Sequence, residues 1–213
     1  TLVILTSGFD HPMSWICQRI LPEAYGRLGY DVEFRDVPPN RADAEFNNGE
    51  ADGFIFSDDL FAASHPGAVK VEPLVGWDDL IVFSGSGRIP APGWEGLRPF
   101  TVGYLKGTWA VESALVGFHG DVSHAAPAVI QKLALGRTDF AVMPWALGTS
   151  LIREEGMRGV RAVGTPLARV PLFHFLAAKN TSLAPGLARE LTRLERSGRL
   201  AQVTAETYSA LGR

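Results

Sequence analysis

Two short runs, Gly49-Glu50-Ala51-Asp52 and Gly136-Arg137-Thr138-Asp139, constrain the fold of this chain more than any other feature. Each closes a helix-like run, residues 41–48 before the first and 127–135 before the second. Each opens an apolar, strand-like run, residues 53–56 and 140–143. A polar or aromatic pair stands after each strand, Asp58-Asp59 in one case and Trp145 behind Pro144 in the other. Helix–glycine–strand junctions are common in α/β proteins, because glycine supplies the left-handed end of a helix. The same unit in both halves of one chain points further, to two similar α/β lobes. A cleft between such lobes is where small ligands usually bind.

Composition fits this reading and excludes several others. The chain has 213 residues, 46% hydrophobic and 20% charged. That suffices for one large domain or two small lobes, each with its own core. The net charge is −3, and no basic stripe or Arg/Lys run stands out, so a nucleic-acid partner is not expected. No apolar run has membrane-spanning length. Thr1–Leu5 lacks the basic start of a signal peptide and reads as a first strand, consistent with a mature exported protein whose signal peptide has been removed. Cys17 is the sole cysteine, so no intrachain disulfide forms, and its place in an apolar helix stripe predicts packing rather than reactivity.

The pattern along the chain is βα throughout. Leu2–Leu5 reads as a strand, and Ser14 as the cap of a helix whose stripe is Ile16, Ile20, Ala24 and Leu28. Pro22 is expected to kink that helix or to start a new one. A second strand follows at 32–37, a helix capped by Asn40, and a third strand at 53–56. Residues 69–75 and 80–83 read as two further strands, and residues 84–97, with Gly85-Ser86-Gly87 and two prolines, as the linker or hinge region. The pattern restarts at Thr101–Leu105, with a helix from Trp109 to about Phe118, a short strand at 122–125 and another at 140–143. Strands are expected at 160–163 and 172–177. Two closing helices carry the stripes Leu183, Leu187, Leu191, Leu194 and Leu200, Val203, Thr207, Leu211, and are expected to pack on the first lobe. The expected division is residues 1–83 with 172–213 as lobe one and 98–170 as lobe two.

Catalytic signatures are missing. There is no Walker loop, no G-x-G-x-x-G and no G-x-S-x-G. None of the five histidines, His11, His65, His119, His124 and His174, has metal-ligand spacing. Asp58-Asp59 and Asp78-Asp79 are adjacent in sequence. Neighbours on a strand face opposite ways, so neither pair makes an acid–base dyad. No metal, cofactor or catalytic residue is expected. Binding chemistry remains. Lys106-Gly107-Thr108-Trp109 sits where a strand turns into a helix, and exposed amides there attract anions. Thr108 serves either a ligand or the helix cap. Phe9, Asp10, Ser57 and Asp58 fall at the ends of strands one and three, and Trp77, Trp109 and Trp145 near other strand ends, where aromatic faces can stack on a solute. Arg41 adds a cation if its helix start faces the ligand, and is otherwise a solvated helix residue. These eleven positions are the candidate ligand-binding residues.

Several motifs in order resemble the extracellular solute-binding proteins of family 3, with the type 2 periplasmic-binding-protein fold. They are Leu28-Gly29-Tyr30-Asp31-Val32, Pro39-x-Arg41 leading to Gly49-Glu50-Ala51-Asp52-Gly53, Val102-Gly103-Tyr104-Leu105-Lys106-Gly107-Thr108, Leu135-Gly136-Arg137-Thr138-Asp139 and Leu194-Glu195-Arg196-Ser197-Gly198. The resemblance spans nearly the whole chain. It implies two α/β lobes joined by two crossover strands, a ligand enclosed by hinge closure, and a periplasmic location. It also implies a monomer that delivers a small polar or anionic solute to a membrane ABC permease. The alternatives are the sensor domain of a membrane receptor, or a small-carboxylate lyase or dehydratase on the same fold, with Asp10, Asp58 or Asp78 as acid or base. Two departures bear on the ligand. Amino-acid binders of that family carry an Arg after the first-lobe strands, where residues 57–69 have none. They also carry an Asp past the second Gly-x-x-Asp strand, where Pro144 stands. Both losses argue against a zwitterionic amino acid.

Overall fold

The computed structural model describes residues 1–6 and 11–210. The chain divides into two compact units, Thr1–Trp77 with Pro171–Arg213, and Asp78–Val170.

The first unit begins with β1 (Leu2–Thr6), α1 (Pro12–Arg27), β2 (Val32–Asp36), α2 (Pro39–Asn47), β3 (Gly53–Ser57) and the single turn α3 (Phe61–Ser64). It takes the first part of β4 (Val69–Ser84) and the last part of β8 (Arg161–Leu176), then closes with α7 (Ala184–Arg196) and α8 (Arg199–Ala210). Its strands run in the order β2-β1-β3-β8. The first three are parallel and β8 is antiparallel to β3. Right-handed crossover helices are the ordinary way to join such parallel neighbours. The core forms where Ile16, Ile20 and Ala24 of α1 meet Ile4 and Ile55 of the sheet and Leu187, Leu191, Leu194 and Val203 of the closing helices. Each aliphatic side chain buried there contributes about 1.5–3 kcal/mol. The closing helices thus pack on this core through Leu187, Leu191, Leu194 and Val203, as their spacing predicts; Leu211 lies outside the described residues.

The second unit holds the rest of β4, β5 (Thr101–Leu105), the short α4 (Trp109–Ala114), β6 (His119–Ser123), α5 (Ala126–Ala134), β7 (Phe140–Pro144), α6 (Trp145–Glu154) and the start of β8. Its strands run β6-β5-β7-β4. Again three are parallel and the last is antiparallel. Its core gathers Leu80, Val82, Val102, Val111, Phe140 and Val142. Gly148 lets α6 lie directly on β4, since a Cβ there would stand 2.3 Å from Cζ of Phe83. The two units are therefore built to one plan.

The repeated Gly-x-x-Asp is part of that plan. Gly49 and Gly136 take φ of 73° and 68°, the left-handed conformation that ends a helix. Three residues on, Asp52 accepts the Val3 amide proton at 2.8 Å, and its own N–H donates to the Val3 carbonyl. Asp139 does the same with Thr101. Each aspartate thus fastens the incoming strand to the first strand of its sheet.

Local corrections to the sequence reading have physical causes. α1 is capped by His11, whose Nδ1 accepts the Met13 N–H at 3.0 Å, with Pro12 in the first turn; Ser14 lies buried inside the helix. Pro22 does not break it, and the helix runs on to Arg27. α2 starts at Pro39 behind Pro38, ahead of Asn40. α4 ends at Ala114, and the following strand begins earlier, at His119. The strands expected at 69–75 and 80–83 are one strand, β4, and those at 160–163 and 172–177 are one strand, β8. Each of these two passes from one unit into the other, and residues 85–97 belong to the second unit.

Candidate functional site

In the first unit the described candidates are Ser57 and Asp58 at the end of β3, Arg41 in α2, and Trp77, which lies within the long strand β4 and not near a strand end as expected. Phe9 and Asp10 lie outside the described residues. β3 is buried along its length and delivers Ser57 and then Asp58. Asp58 is 7% exposed, and its Oδ1 accepts the Leu60 N–H at 2.9 Å while its carbonyl accepts that of Phe61 at 3.2 Å. One carboxylate oxygen is thus engaged in forming the turn into α3. Arg41 sits in the first turn of α2 with its side chain 68% exposed. Its Nε donates to Oε1 of Glu45 at 2.5 Å, the spacing of one helical turn. That bond, joined by Arg35 at 3.5 Å, holds the Glu45 carboxyl below the ordinary range. Arg41 therefore behaves as the solvated, ion-paired helix residue. Trp77 stands in β4 with 41% of its surface exposed.

In the second unit β5 ends at Leu105, and Lys106-Gly107 turns the chain into α4. Gly107 takes φ of 87°, which a side chain would disfavour. The Thr108 carbonyl accepts the Val111 and Glu112 amides, but its side chain makes no cap hydrogen bond. Trp109 opens the helix, and its ring lies 5.2 Å from Nζ of Lys106. Glu112, one turn further, reaches back over this corner. Its Oε2 accepts from Nζ of Lys106 at 2.6 Å, and its Oε1 accepts the Gly107 N–H at 2.6 Å. The donors expected to hold an anion already hold the protein's own carboxylate. Glu112 is the residue that sequence reasoning missed. An acidic residue in the first turns of a helix is a recognisable favourable pattern, but nothing in the spacing shows it folding back onto a turn five residues earlier. Trp145 opens α6 directly behind Pro144, the last residue of β7.

The structure thus brings Lys106, Gly107, Thr108 and Trp109 together at one corner and leaves Arg41 on a helix surface. Among the described residues, no three His, Cys, Asp or Glu side chains are grouped to hold a metal ion, and no helix is long and apolar enough to cross a membrane. The corner offers an ammonium, an amide, a hydroxyl and an indole face, balanced by a carboxylate. These are the means of polar recognition.

No family model matches the sequence, and no curated protein matches it. Solved structures do. A histidine kinase sensor domain with similarity to periplasmic binding proteins is 18% identical, with a TM-score of 0.84 over 97% of this chain and 95% of its own. An ancestral arginine-binding protein bound to glutamine is 16% identical, with a TM-score of 0.80 over 97% of each chain. The arginine-, lysine-, histidine-binding protein ArtJ from Geobacillus stearothermophilus is 15% identical, with a TM-score of 0.81 over the whole of both chains. The duplicated sheet order and these likenesses lead to one conclusion: the chain has the two-lobed α/β fold of the type 2 periplasmic-binding proteins.

Proposed function

We propose that this protein is a periplasmic solute-binding protein that captures a small polar or anionic solute by hinge closure and presents it to an ABC importer. The observation that carries the reading is the duplicated unit with its two shared strands, β4 and β8, in a fold whose similar structures include amino-acid-binding proteins. Two lobes joined only by such strands are a common basis for hinge motion. The solute would meet Phe9, Asp10, Ser57, Asp58 and Trp77 from the first unit, and Lys106, Gly107, Thr108, Trp109 and Trp145 from the second. Arg41 is the weakest member of the set, because Glu45 already neutralises it. Glu112 tempers the anion preference: an anionic solute has to replace its carboxylate at Lys106, whereas a neutral polar one can bind beside the pair. The protein binds its solute without converting it.

A second reading is a receptor sensor domain, favoured by the likeness to the histidine kinase sensor domain. A membrane helix encoded beyond Arg213 in the full gene would favour it over the importer. Mass spectrometry of small molecules released from purified, denatured protein tests the shared core of both readings. A recovered polar solute that is returned unchanged after incubation with fresh protein supports binding; its conversion would establish an enzyme instead.

A further inference from the structure

The first unit also carries a groove apart from the candidate solute residues. A groove of about 840 Å³ lies between the first part of β4, at Glu72 and Pro73, and α7, at Ala188, Arg189, Arg193 and Arg196. None of the candidate solute residues lines it. Its volume falls within the roughly 300–1,000 Å³ of small-molecule sites.

Charge gives the groove its chemistry. Arg189, Arg193 and Arg196 are spaced by four and then three residues, so they share one helix face. The linear sequence hides this stripe, because apolar and acidic residues separate its members. Arg189 and Arg196 form no ion pair with any described residue. Arg193 has only a loose one, its Nη1 3.8 Å from Oε2 of Glu190. Charge-assisted hydrogen bonds are about 2.7–2.9 Å. The lone acid of the wall, Glu72, is matched by Lys70, 3.1 Å away. Three arginines therefore line the groove with no carboxylate of the described residues in close ion-pair contact, on a chain whose net charge is −3. From the first to the last they span about 10 Å along the helix, too far for one simple anion. Pro73 and Ala188 give the floor an apolar character.

We propose that this groove binds a multivalent oxyanion, a ligand carrying at least two phosphate-type groups, either free or as the headgroup of an anionic phospholipid. Each guanidinium presents paired N–H donors that match phosphate oxygens bidentately.

The probe for the free form is inorganic pyrophosphate, titrated calorimetrically into the whole protein. Binding is expected to weaken about tenfold or more in the double variant R189Q/R196Q, since hydrogen bonds to charged groups are among the stronger ones. It is expected to weaken with added salt and to be unchanged in R158Q, a control arginine in the other unit. Arg189 and Arg196 are exposed helix residues, so both variants are expected to fold, which thermal unfolding checks. Flotation with vesicles containing cardiolipin, whose headgroup carries two phosphates, against phosphatidylcholine alone, tests the lipid source. Pyrophosphate binding without flotation assigns the free ligand; flotation suppressed by pyrophosphate and by R189Q/R196Q assigns the headgroup. Absence of both, equal binding by wild type and R189Q/R196Q, or capture of an acidic peptide alone would overturn the proposal.

Discussion

The carboxylate of Asp52 accepts the backbone N–H of Val3 at 2.8 Å, and the backbone of Asp52 returns a hydrogen bond to the carbonyl of the same residue. A side chain here extends the β1–β3 ladder one step ahead of the start of β3. Asn180 at 3.0 Å and Lys179 at 3.1 Å hold the second oxygen. Burial opposes ionisation of this carboxyl, but the Val3 amide, Asn180 and Lys179 outweigh it and hold its pKa below the usual range. Asp52→Ala is expected to cost about 1–3 kcal/mol in urea unfolding, and Asp139→Ala less, because Asp139 is 45% exposed. Because the folded pKa is lowered, the Asp52 contribution is present above its unfolded value and is lost as pH falls through the folded one. Equal stability of wild type and Asp52→Ala at neutral pH would remove the clamp from the account of the fold.

Gly53, the next residue, has no room for a side chain. A Cβ there would stand 2.8 Å from the Phe175 carbonyl and 2.9 Å from Cδ1 of Ile4. Gly53→Ala is expected to destabilise by about 1–3 kcal/mol. Gly26→Ala, in open space inside α1 and without a positive φ, is a matched control expected to cost nothing or to stabilise slightly. Denaturant midpoints of the two variants make the comparison.

His174 makes acid a specific hazard. It is wholly buried; Nδ1–H donates to the Ile55 carbonyl at 3.2 Å, and Nε2 accepts from the Tyr25 hydroxyl at 2.7 Å. Burial pushes its pKa down to about 4 and that of Tyr25 up. The folded state thus binds fewer protons than the unfolded state between about pH 4 and 6.5. Stability from the neutral imidazole is complete above about pH 6.5 and is lost as pH falls towards 4, on the order of 3 kcal/mol in all. Urea midpoints at stepped pH in wild type and His174→Gln measure this. A slope equal in both proteins would assign the acid loss to other groups.

Glu112→Gln removes the charge that Lys106 and Gly107 now hold and keeps the shape. Small anions such as acetate are then expected to bind at this corner about tenfold more tightly, read by the emission of Trp109, which lies beside Lys106. Trp109→Phe in the same background is expected to abolish that reading. Identical acetate titrations of wild type and Glu112→Gln would show that Glu112 does not guard the corner.

Free standard α-amino acids are expected to bind weakly or not at all. A zwitterion needs two charged partners at a fixed separation, and removing one partner of a buried pair costs about 3–5 kcal/mol. Residues 57–69 supply no guanidinium, and Pro144 stands where a carboxylate would be needed. Calorimetry against each amino acid decides it, and micromolar or tighter binding of any of them would refute the expectation.

What the sequence disclosed followed from local rules. Gly49 and Gly136 could be read because only a left-handed helix end explains glycine there, and Leu187, Leu191 and Leu194 because one helix face was apolar. The sequence pattern predicts two short strands in place of each of β4 and β8. Gly76 to Asp79 interrupt the apolar alternation of β4 where it passes between the units, whereas Gly164 to Pro166 interrupt β8 within the second unit, ahead of its crossing at Val170 and Pro171. The cap of α1 is not legible in the sequence, because histidine is an unusual cap and Ser14 offers the commoner signal. At the candidate site, the corner at Lys106 was visible as a strand-to-helix turn. Its occupant was not, because the contact of Glu112 with Gly107 depends on how far a side chain folds back, which spacing alone does not encode.

The position of β8 also sets an order of events during synthesis. The second unit is a single uninterrupted stretch, Asp78–Val170. The first unit lacks its fourth strand, and the helices that bury Ile16 and Ile20, until Leu172 through Val203 have been made. A chain leaving the ribosome therefore has every residue of its later unit before its earlier one can close. Until then the apolar face of α1 has no permanent cover, and it is there that a nascent chain of this protein most needs protection from aggregation.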